Sequence, residues 1–142
     1  MKILVAVDGS KFSMHAVKYA AKLMESLLPD SNAITLISVH DDIGLRHAKA
    51  FVGHDAVADY LRELSDKDLE PARKILDAAG VKHDMVVKTG QVAQEIIDCA
   101  KSGNFDLIVL GSKGRGAMAD LLMGSVAQRV LTMAETPVLL VK

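Results

Sequence analysis

The sequence is poor in cysteine and in aromatic residues. Its 142 residues include one cysteine, no tryptophan, three phenylalanines and two tyrosines. A single cysteine excludes a disulfide framework within the chain and a zinc site built from several cysteines. So few aromatic rings argue against a surface on which the bases of a single-stranded nucleic acid would stack.

The sequence also lacks an excess of charge and a long hydrophobic run. It has 17 Lys and Arg residues against 18 Asp and Glu residues, a formal net charge of −1, so we expect no basic surface for nucleic acid. No apolar run approaches the roughly 18–20 residues of a membrane span. The first run is closed by Asp8, too early for a secretory signal. We therefore expect a cytoplasmic protein without a membrane partner.

What the sequence does contain is a regular alternation of short β-branched runs and longer amphipathic stretches. Hydrophobic residues make up 50% and charged residues 25%, which is typical of a globular chain, and the length suits one domain over residues 1–142. The short runs predict strands at residues 3–7, 33–39, 81–88, 105–110 and 138–141. Apolar residues at three- and four-residue steps predict helices at residues 11–28, 57–79, 91–102 and 126–134.

A few polar or helix-breaking residues set the expected limits of these elements. Ser10 is expected to cap the first helix and Pro29 to stop it. Residues 40–54 are expected to be irregular. Pro71 is expected to kink or split the second helix, because it lacks a backbone donor, and Gly80 to cap its end.

The order of the elements predicts the fold class. Strands that alternate with helices form βαβ units with right-handed crossovers, and hence a parallel sheet. Continuous apolar strands suit a sheet covered by helices on both faces. We therefore predict a three-layer, doubly wound α/β domain with five parallel strands. The first and fourth strands are both followed by Gly-Ser, at Gly9 and Gly111, at the edge where such folds bind ligands.

The most informative segment follows the fourth strand and has the sequence Gly111-Ser-Lys-Gly-Arg-Gly. It is not a Walker motif, because Ala117 stands where that motif needs a lysine. It meets the dinucleotide fingerprint only in a loose form that ends at Ala119. The acidic residue that should end the next strand is Glu135, which precedes that strand instead.

The glycines of this segment are nevertheless spaced in a way that suits a phosphate. Glycines let backbone amides approach an anion. Gly124 and Ser125 open the last helix, whose free amides and positive dipole end favour phosphate, and Ser125 could cap that helix or donate its hydroxyl to a phosphate. Lys113 and Arg115 add positive charge beside the loop. Spacing alone does not separate this hypothesis from the alternative that the glycines only turn the chain.

Three segments, in order along the chain, point to a known family. They are Ile3-Leu-Val-Ala-Val-Asp-Gly-Ser with Ser13 and Ala16, the glycine-rich segment continued by Leu121-Leu-Met-Gly-Ser-Val, and Thr136-Pro-Val-Leu-Leu-Val. Together they resemble the universal stress protein family over essentially the whole chain, and the complete glycine signature resembles its ATP-binding branch. The resemblance implies a Rossmann-like sheet ordered 3-2-1-4-5, of the adenine nucleotide alpha hydrolase type. It also implies dimerisation and binding of ATP or a related adenine nucleotide, with Mg²⁺.

The resemblance also implies which residues bind the nucleotide. The full expected set is Ala6, Val7, Asp8, Val39, Leu110, Gly111, Gly114, Arg115, Gly124, Ser125 and Val126. Within it, Asp8 and Val39 would flank the adenine, Val39 through its backbone. The sequence places His40 after Val39, whereas many members place a histidine before the valine. From the residues alone, Asp8 could instead cap the first helix alongside Ser10.

The phosphate side of the expected site follows the glycine signature. By resemblance, Gly111 and Gly114 would line the ribose and phosphates, and Gly124, Ser125 and Val126 would close over the phosphates.

Other chemistry-bearing residues have plainer explanations. The acidic run that His40 opens, with Asp41 and Asp42, could approach a Mg²⁺ ion bound to phosphates, or could form a solvated turn. Cys99 is expected to be a partly buried helix residue. Six methionines are expected to fill the core: Met14, Met24, Met85, Met118, Met123 and Met133. The sequence has no two histidines at the spacing of metal ligands and no recognisable Ser-His-Asp motif. We therefore assign no metal ligand and no catalytic residue.

The closing strand is expected to form a homodimer interface. It runs from Pro137 to Val141, and the implied strand order puts it at an edge of the sheet. An uncovered apolar edge invites pairing with another strand, so a partner chain is its natural cover.

The leading functional hypothesis is an adenine-nucleotide-binding regulatory protein of the stress response, without fast chemistry. Efficient phosphoryl transfer needs a positioned general base. The sequence has the positively charged Lys113 and Arg115 in its glycine-rich loop but no recognisable general base. The alternatives are a slow ATPase or autophosphorylating enzyme, and a dimeric interaction module whose nucleotide is only structural or absent.

Overall fold

The computed structural model describes residues 1–27, 31–116, 118 and 120–142, and for residues 42, 44, 45, 48, 49, 51 and 52 it describes the backbone alone. The elements are β1 (Lys2–Ala6), α1 (Lys11–Glu25), β2 (Ala33–His40), α2 (Asp42–Ala78), β3 (His83–Thr89), α3 (Val92–Ser102), β4 (Leu107–Gly111), α4 (Ser125–Met133) and β5 (Val138–Val141). The five strands form one sheet in the order β3-β2-β1-β4-β5, and every neighbouring pair is parallel. The predicted fold class and strand order are confirmed.

The sheet is buried on both faces because its central strands are apolar at every position. In β1, Ile3 and Val5 point to one face and Leu4 to the other, and all three are fully buried. Ile3 and Val5 belong to the core that contains residues of α1 and α2, whereas Leu4 belongs to the core that contains residues of α3 and α4. The two cores give the three layers that the continuous apolar strands predict.

The first helix begins as its sequence predicts. Ser10 is the N-cap, and its side chain accepts a hydrogen bond from the backbone N–H of Ser13 at 3.2 Å. The helix ends at Glu25 with Ser26 as its cap, three residues before the predicted end. Pro29, the residue expected to stop the helix, lies outside the described residues.

The second helix differs from its prediction at both points where a break was expected. The prediction of an irregular segment at residues 40–54 is wrong, because α2 begins at Asp42, with Asp41 as its N-cap. The backbone of α2 departs from helical geometry at Gly53, where φ is +79°, a conformation that glycine adopts without strain. The described side chains of α2 before Gly53, which are those of residues 43, 46, 47 and 50, are exposed.

Pro71, which was expected to kink or split the second helix, does not split it. Pro71 lies inside α2, and the helical geometry continues through it. Pro71 and Lys67, whose carbonyl loses its partner, are both exposed, so water can satisfy that carbonyl. On the opposite side, Leu69, Ala72 and Leu76 keep the helix packed against the sheet.

The methionines do not all fill the core. Met14, Met24 and Met123 pack in the two cores. The prediction is wrong for Met85, Met118 and Met133, which are 48%, 71% and 51% exposed. Their positions explain the difference, since they lie on the edge strand β3, in the loop after β4, and at the last residue of α4.

Two further observations complete the fold. Cys99 on α3 is partly buried, as expected, and burial raises the pKa of its thiol. Among the described residues, no helix combines the length and the apolar character needed to cross a membrane.

Candidate functional site

The candidate site lies where the sheet reverses direction. The chain passes from β1 to β2 on one side of β1, and after β3 it crosses to β4 on the other side. The loops after β1 and β4 therefore diverge, and a crevice opens at the carboxyl ends of the two strands. A cavity of about 360 Å³ occupies this position, a volume within the range of about 300–1,000 Å³ for small-molecule sites.

All eleven residues of the expected site line this one cavity. They are Ala6, Val7, Asp8, Val39, Leu110, Gly111, Gly114, Arg115, Gly124, Ser125 and Val126. The structure thus brings together residues from both ends of the chain, although what they bind stays a prediction.

The cavity wall also contains residues that were not among the eleven. They are Ser13, Ile37, Val92, Ile96, Lys113, Gly116, Leu121 and Ala127. Of these, Lys113 had been noted as a charge beside the loop. Val92 and Ile96 were predicted only as buried residues of α3, because an apolar periodicity does not tell a side chain facing a cavity from one in the core.

The two walls of the cavity differ in character. Val39 at the end of β2 and the α3 residues Val92 and Ile96 provide apolar surface. The loop after β4 and the start of α4 provide backbone groups, the Ser125 hydroxyl and the charge of Lys113. The cavity therefore suits a ligand with a flat apolar part and an anionic part.

Asp8 lies on the cavity wall and holds two loops together. Its Oδ1 accepts a hydrogen bond from the backbone N–H of Ser10 at 2.9 Å, and its Oδ2 accepts one from the backbone N–H of Arg115 at 3.0 Å. Burial acts to raise the pKa of Asp8, but hydrogen bonds from Ser10, Arg115 and Ser13 outweigh it and hold the pKa below the ordinary value of 3.8. Asp8 is therefore a carboxylate at neutral pH.

Gly114 is required by its close approach to that carboxylate. A Cβ atom at this position would lie 2.8 Å from Asp8 Oδ2, nearer than a Cβ atom approaches a nonbonded atom. Gly111 has a different constraint, since a Cβ there would lie 2.8 Å from the carbonyl carbon of Phe12 on α1. Gly114 thus shapes the cavity wall, whereas Gly111 also lets α1 pack against β4.

The start of α4 differs from the prediction at Ser125. Gly124 is the N-cap, and among the described residues no side chain caps this helix. The prediction that Ser125 caps α4 is therefore wrong, because Ser125 is the first helical residue. The first four N–H groups of a helix have no partner within it. Here the N–H of Gly124 donates to the Ser112 carbonyl, and the other three belong to Ser125, Val126 and Ala127, all on the cavity wall. The Ser125 hydroxyl is therefore not used to cap α4.

An ion pair beside the cavity was not predicted. The Arg115 guanidinium lies 2.5 Å from Oδ1 of Asp68 on α2. The Asp68 side chain is 6% exposed and the Arg115 side chain 59%. The two residues are 47 positions apart in the sequence, and no local pattern links them.

His40 contacts α2 and is absent from the cavity wall. Its Nε2 lies 3.0 Å from Oγ of Ser65 and 3.2 Å from Oγ of Ser38, both buried. Burial lowers the pKa of His40, with Asp68 opposing and Arg115 adding to the effect. The neutral imidazole is therefore favoured in the folded protein.

The acidic run after β2 has a structural role in the part that is described. Asp41 Oδ1 accepts a hydrogen bond from the N–H of Ile43 at 2.9 Å and so caps α2. The side chain of Asp42 lies outside the described residues. The described side chains contain no group of three or more His, Cys, Asp or Glu that could hold a metal ion.

The geometry is that of a three-layer α/β protein with a cavity at the switch point of its sheet, and comparison with known proteins identifies the family. The family model described as "Universal stress protein family" matches residues 1–142. Universal stress protein MJ0531 of Methanocaldococcus jannaschii is 32% identical over 141 residues, covering 99% of this chain and 81% of that protein. The chain belongs to the universal stress protein family.

Solved structures agree on the fold. Protein MJ0577 of Methanocaldococcus jannaschii has a TM-score of 0.84 at 26% identity, covering 99% of this chain and 94% of that one. A universal stress protein family protein from Arabidopsis thaliana, solved with AMP bound, has a TM-score of 0.60 at 22% identity, covering 100% of this chain and 91% of that one. At 22% identity the second likeness establishes the fold alone.

Proposed function

We propose that the protein binds ATP or a related adenine nucleotide in the cavity between β1 and β4 and acts as a stress-response regulator rather than as a fast enzyme. The observation that carries this proposal is that one cavity joins an apolar wall, a carboxylate and an uncapped helix N-terminus. These three features suit the base, the sugar and the phosphates of a nucleotide.

The apolar wall would hold the adenine. Val39, Val92 and Ile96 offer aliphatic surface to a flat ring, and removing such surface from water favours binding. Val39 is the last apolar residue of β2. Its backbone is part of the sheet, where it is in register with Lys88 of β3. The predicted contact between its backbone and the adenine is thus compatible with its position.

The carboxylate of Asp8 would contact the nucleoside: the family resemblance implies that it flanks the adenine, and we propose that it also holds the ribose. Each of its oxygens accepts one backbone N–H, and an ionised carboxylate offers about four acceptor positions. The remaining positions can accept hydrogen bonds from ribose hydroxyls. Gly114 leaves this space open, because any side chain there would meet Asp8.

The start of α4 would hold the phosphates. The N–H groups of Ser125, Val126 and Ala127 would face the anion, with the positive end of the helix dipole behind them. Lys113 adds positive charge on the same side of the cavity, whereas the Arg115 guanidinium is paired with Asp68 and contributes to the wall through its backbone. A Mg²⁺ ion, which binds nucleotides mainly through phosphate oxygens and water, would arrive with the nucleotide.

The cavity favours binding over rapid turnover. The ionisable side chains on its described wall are Asp8, Lys113 and Arg115. Bound ATP would supply a transferable phosphoryl group, but a general base works best with a pKa near the operating pH. The hydrogen bonds on Asp8 hold its pKa below 3.8, which makes it a weak base for activating water.

One experiment separates this proposal from its alternatives. The purified protein is denatured, the released nucleotide is quantified by chromatography, and labelled ATP added to folded protein is followed over hours. Stoichiometric intact ATP supports the proposal, and steady formation of ADP supports a slow ATPase. A protein that neither releases nor binds adenine nucleotide contradicts it. A cytoplasmic location, where such nucleotides are abundant, is part of the proposal and is tested by cell fractionation.

A further inference from the structure

Asp68 is a buried carboxylate outside the cavity wall. The residue is 4% exposed, and it lies on α2, none of whose described residues lines the cavity. A buried carboxylate requires a partner of opposite charge or several hydrogen bonds. Its partner is the guanidinium of Arg115, which belongs to the loop after β4. Asp68 therefore joins a helix outside the site to a loop that forms part of the site.

Arg115 is held at both of its ends by carboxylates. Its guanidinium pairs with Asp68 at 2.5 Å, and its backbone N–H donates to Asp8 Oδ2 at 3.0 Å. The pair packs directly over Gly9, since a Cβ on Gly9 would collide with both charged groups. Arg115 thus links the hydrogen bond that orients Asp8 to a contact with α2.

The segment around Arg115 has few other described anchors. Gly116 and Asp120 are exposed. Between Arg115 and α4, the described loop makes two backbone hydrogen bonds, from the Leu121 N–H to the Met118 carbonyl at 3.1 Å and from the Gly124 N–H to the Ser112 carbonyl at 2.7 Å. A site whose groups are held in place before binding loses less conformational freedom when the ligand arrives. The ion pair supplies such a restraint at the point where the loop meets Asp8.

We propose that Asp68 is a positioning residue for the candidate nucleotide site, and that it acts by holding Arg115 so that the loop after β4 keeps Asp8 and Gly114 in place. This inference rests on the proposed function, since it concerns the same site. It assigns to Asp68 a role in affinity without any contact with the ligand.

The test is a double-mutant cycle on ATP affinity. Titration calorimetry with Mg-ATP is applied to the wild-type protein, to Asp68→Asn, to Arg115→Gln and to the double variant. Each single substitution is expected to lower affinity about tenfold, and the double variant also about tenfold instead of a hundredfold, because both changes remove one restraint. The matched control is Glu70→Gln, which removes the exposed ion pair with Arg73 on the same helix. Its affinity is expected to stay within about twofold.

A second readout does not depend on nucleotide. Amide hydrogen exchange of Arg115, whose N–H is bonded to Asp8, is measured by NMR in nucleotide-free protein. Asp68→Asn and Arg115→Gln are expected to speed this exchange about tenfold, and Glu70→Gln to leave it unchanged. Arg115→Gln changes an exposed side chain, so this variant keeps the test available if Asp68→Asn fails to fold.

The outcomes distinguish the two proposals. If the wild-type protein binds no ATP, the proposed function fails and this inference fails with it. If the wild-type protein binds ATP and folded Asp68→Asn binds it equally well, only the positioning role of Asp68 is overturned. A loss of ATP affinity in Arg115→Gln but not in Asp68→Asn would also overturn the positioning role, because Arg115 would then act directly on the ligand. If Asp68→Asn lowers the melting temperature but leaves the ATP affinity and the hydrogen exchange of the Arg115 amide unchanged, the ion pair only stabilises the fold and the positioning role is overturned.

Discussion

The sharpest prediction concerns Gly114, because the glycine-rich loop contains its own control. In Gly114→Ala, the added Cβ would lie 2.8 Å from Asp8 Oδ2. Gly116→Ala adds the same methyl group two residues later, also on the cavity wall, where no described atom beyond its chain neighbours lies within 4 Å but φ is +74°. The first substitution thus disturbs Asp8, whereas the second strains only the backbone.

The size of the disturbance follows from the distances. Ordinary contact begins at 3.4 Å, so Asp8 Oδ2 and the new methyl group must separate by 3.4 − 2.8 = 0.6 Å. Oδ2 cannot retreat freely, because it also accepts the 3.0 Å hydrogen bond from Arg115. Loss of one hydrogen bond between a ligand and the displaced carboxylate would cost about 1.5–3 kcal/mol, or about ten- to a hundredfold in affinity. Gly116→Ala should instead cost about 1–2 kcal/mol of stability through its left-handed backbone.

The assay is titration calorimetry with Mg-ATP on both folded variants, with thermal melts of the nucleotide-free proteins. We expect Gly114→Ala to lose affinity and Gly116→Ala to lose stability while keeping its affinity. Wild-type affinity in folded Gly114→Ala would refute the assignment of Asp8 and Gly114 to the site. An equal loss of affinity in both variants would show that the loop responds to any added methyl group.

Three further predictions address other parts of the molecule. Ser125→Ala should leave the unfolding free energy within about 0.5 kcal/mol, because Ser125 does not cap α4. Its Mg-ATP affinity should nevertheless fall about ten- to a hundredfold by calorimetry, and unchanged affinity would remove its hydroxyl from the site. Because burial holds the pKa of His40 below 6.5, the unfolded chain binds the proton more readily, and thermal stability should fall as pH drops below about 6.5. His40→Gln should flatten that dependence just below pH 6.5, well above the ordinary Asp8 pKa of 3.8, below which the Asp8 shift acts; an unaltered slope would contradict it. Val138→Lys on the edge strand β5 should dissociate a homodimer by light scattering, and a wild-type monomer at tens of micromolar would refute that interface.

The sequence predicts this fold because the core is continuous and periodic. The strands are apolar at successive positions, and the faces of α1 and α3 repeat at helical steps. The same periodicity fails at the start of α2, where Ile43 is 63% exposed. The sequence also suggests a break in this helix at Pro71. Pro71 is accommodated at the surface, whereas Gly53 adopts the non-helical conformation.

The parts of the candidate site that depend on local backbone conformation can be predicted from the sequence. The glycines and Ser125 are recognisable by spacing, because they serve close approach and a helix start. The partnership of Asp68 and Arg115 is not, because it forms only when α2 packs beside a loop 47 residues away in the chain. Val92 and Ile96 carry the apolar signature of any buried helix face, so their exposure to a cavity depends on the shape of the folded protein.

The contact between Gly111 and Phe12 decides which variants can be used to study this family member. A larger residue at Gly111 would push α1 away from β4 at the centre of the molecule, since the atom it meets belongs to the helix backbone. Absence of ligand in such a variant would then report a damaged fold, although Gly111 belongs to the same sequence signature as Gly114. Loss-of-binding alleles for experiments in cells are therefore better made at Gly114 or Ser125, where the altered atoms face the cavity.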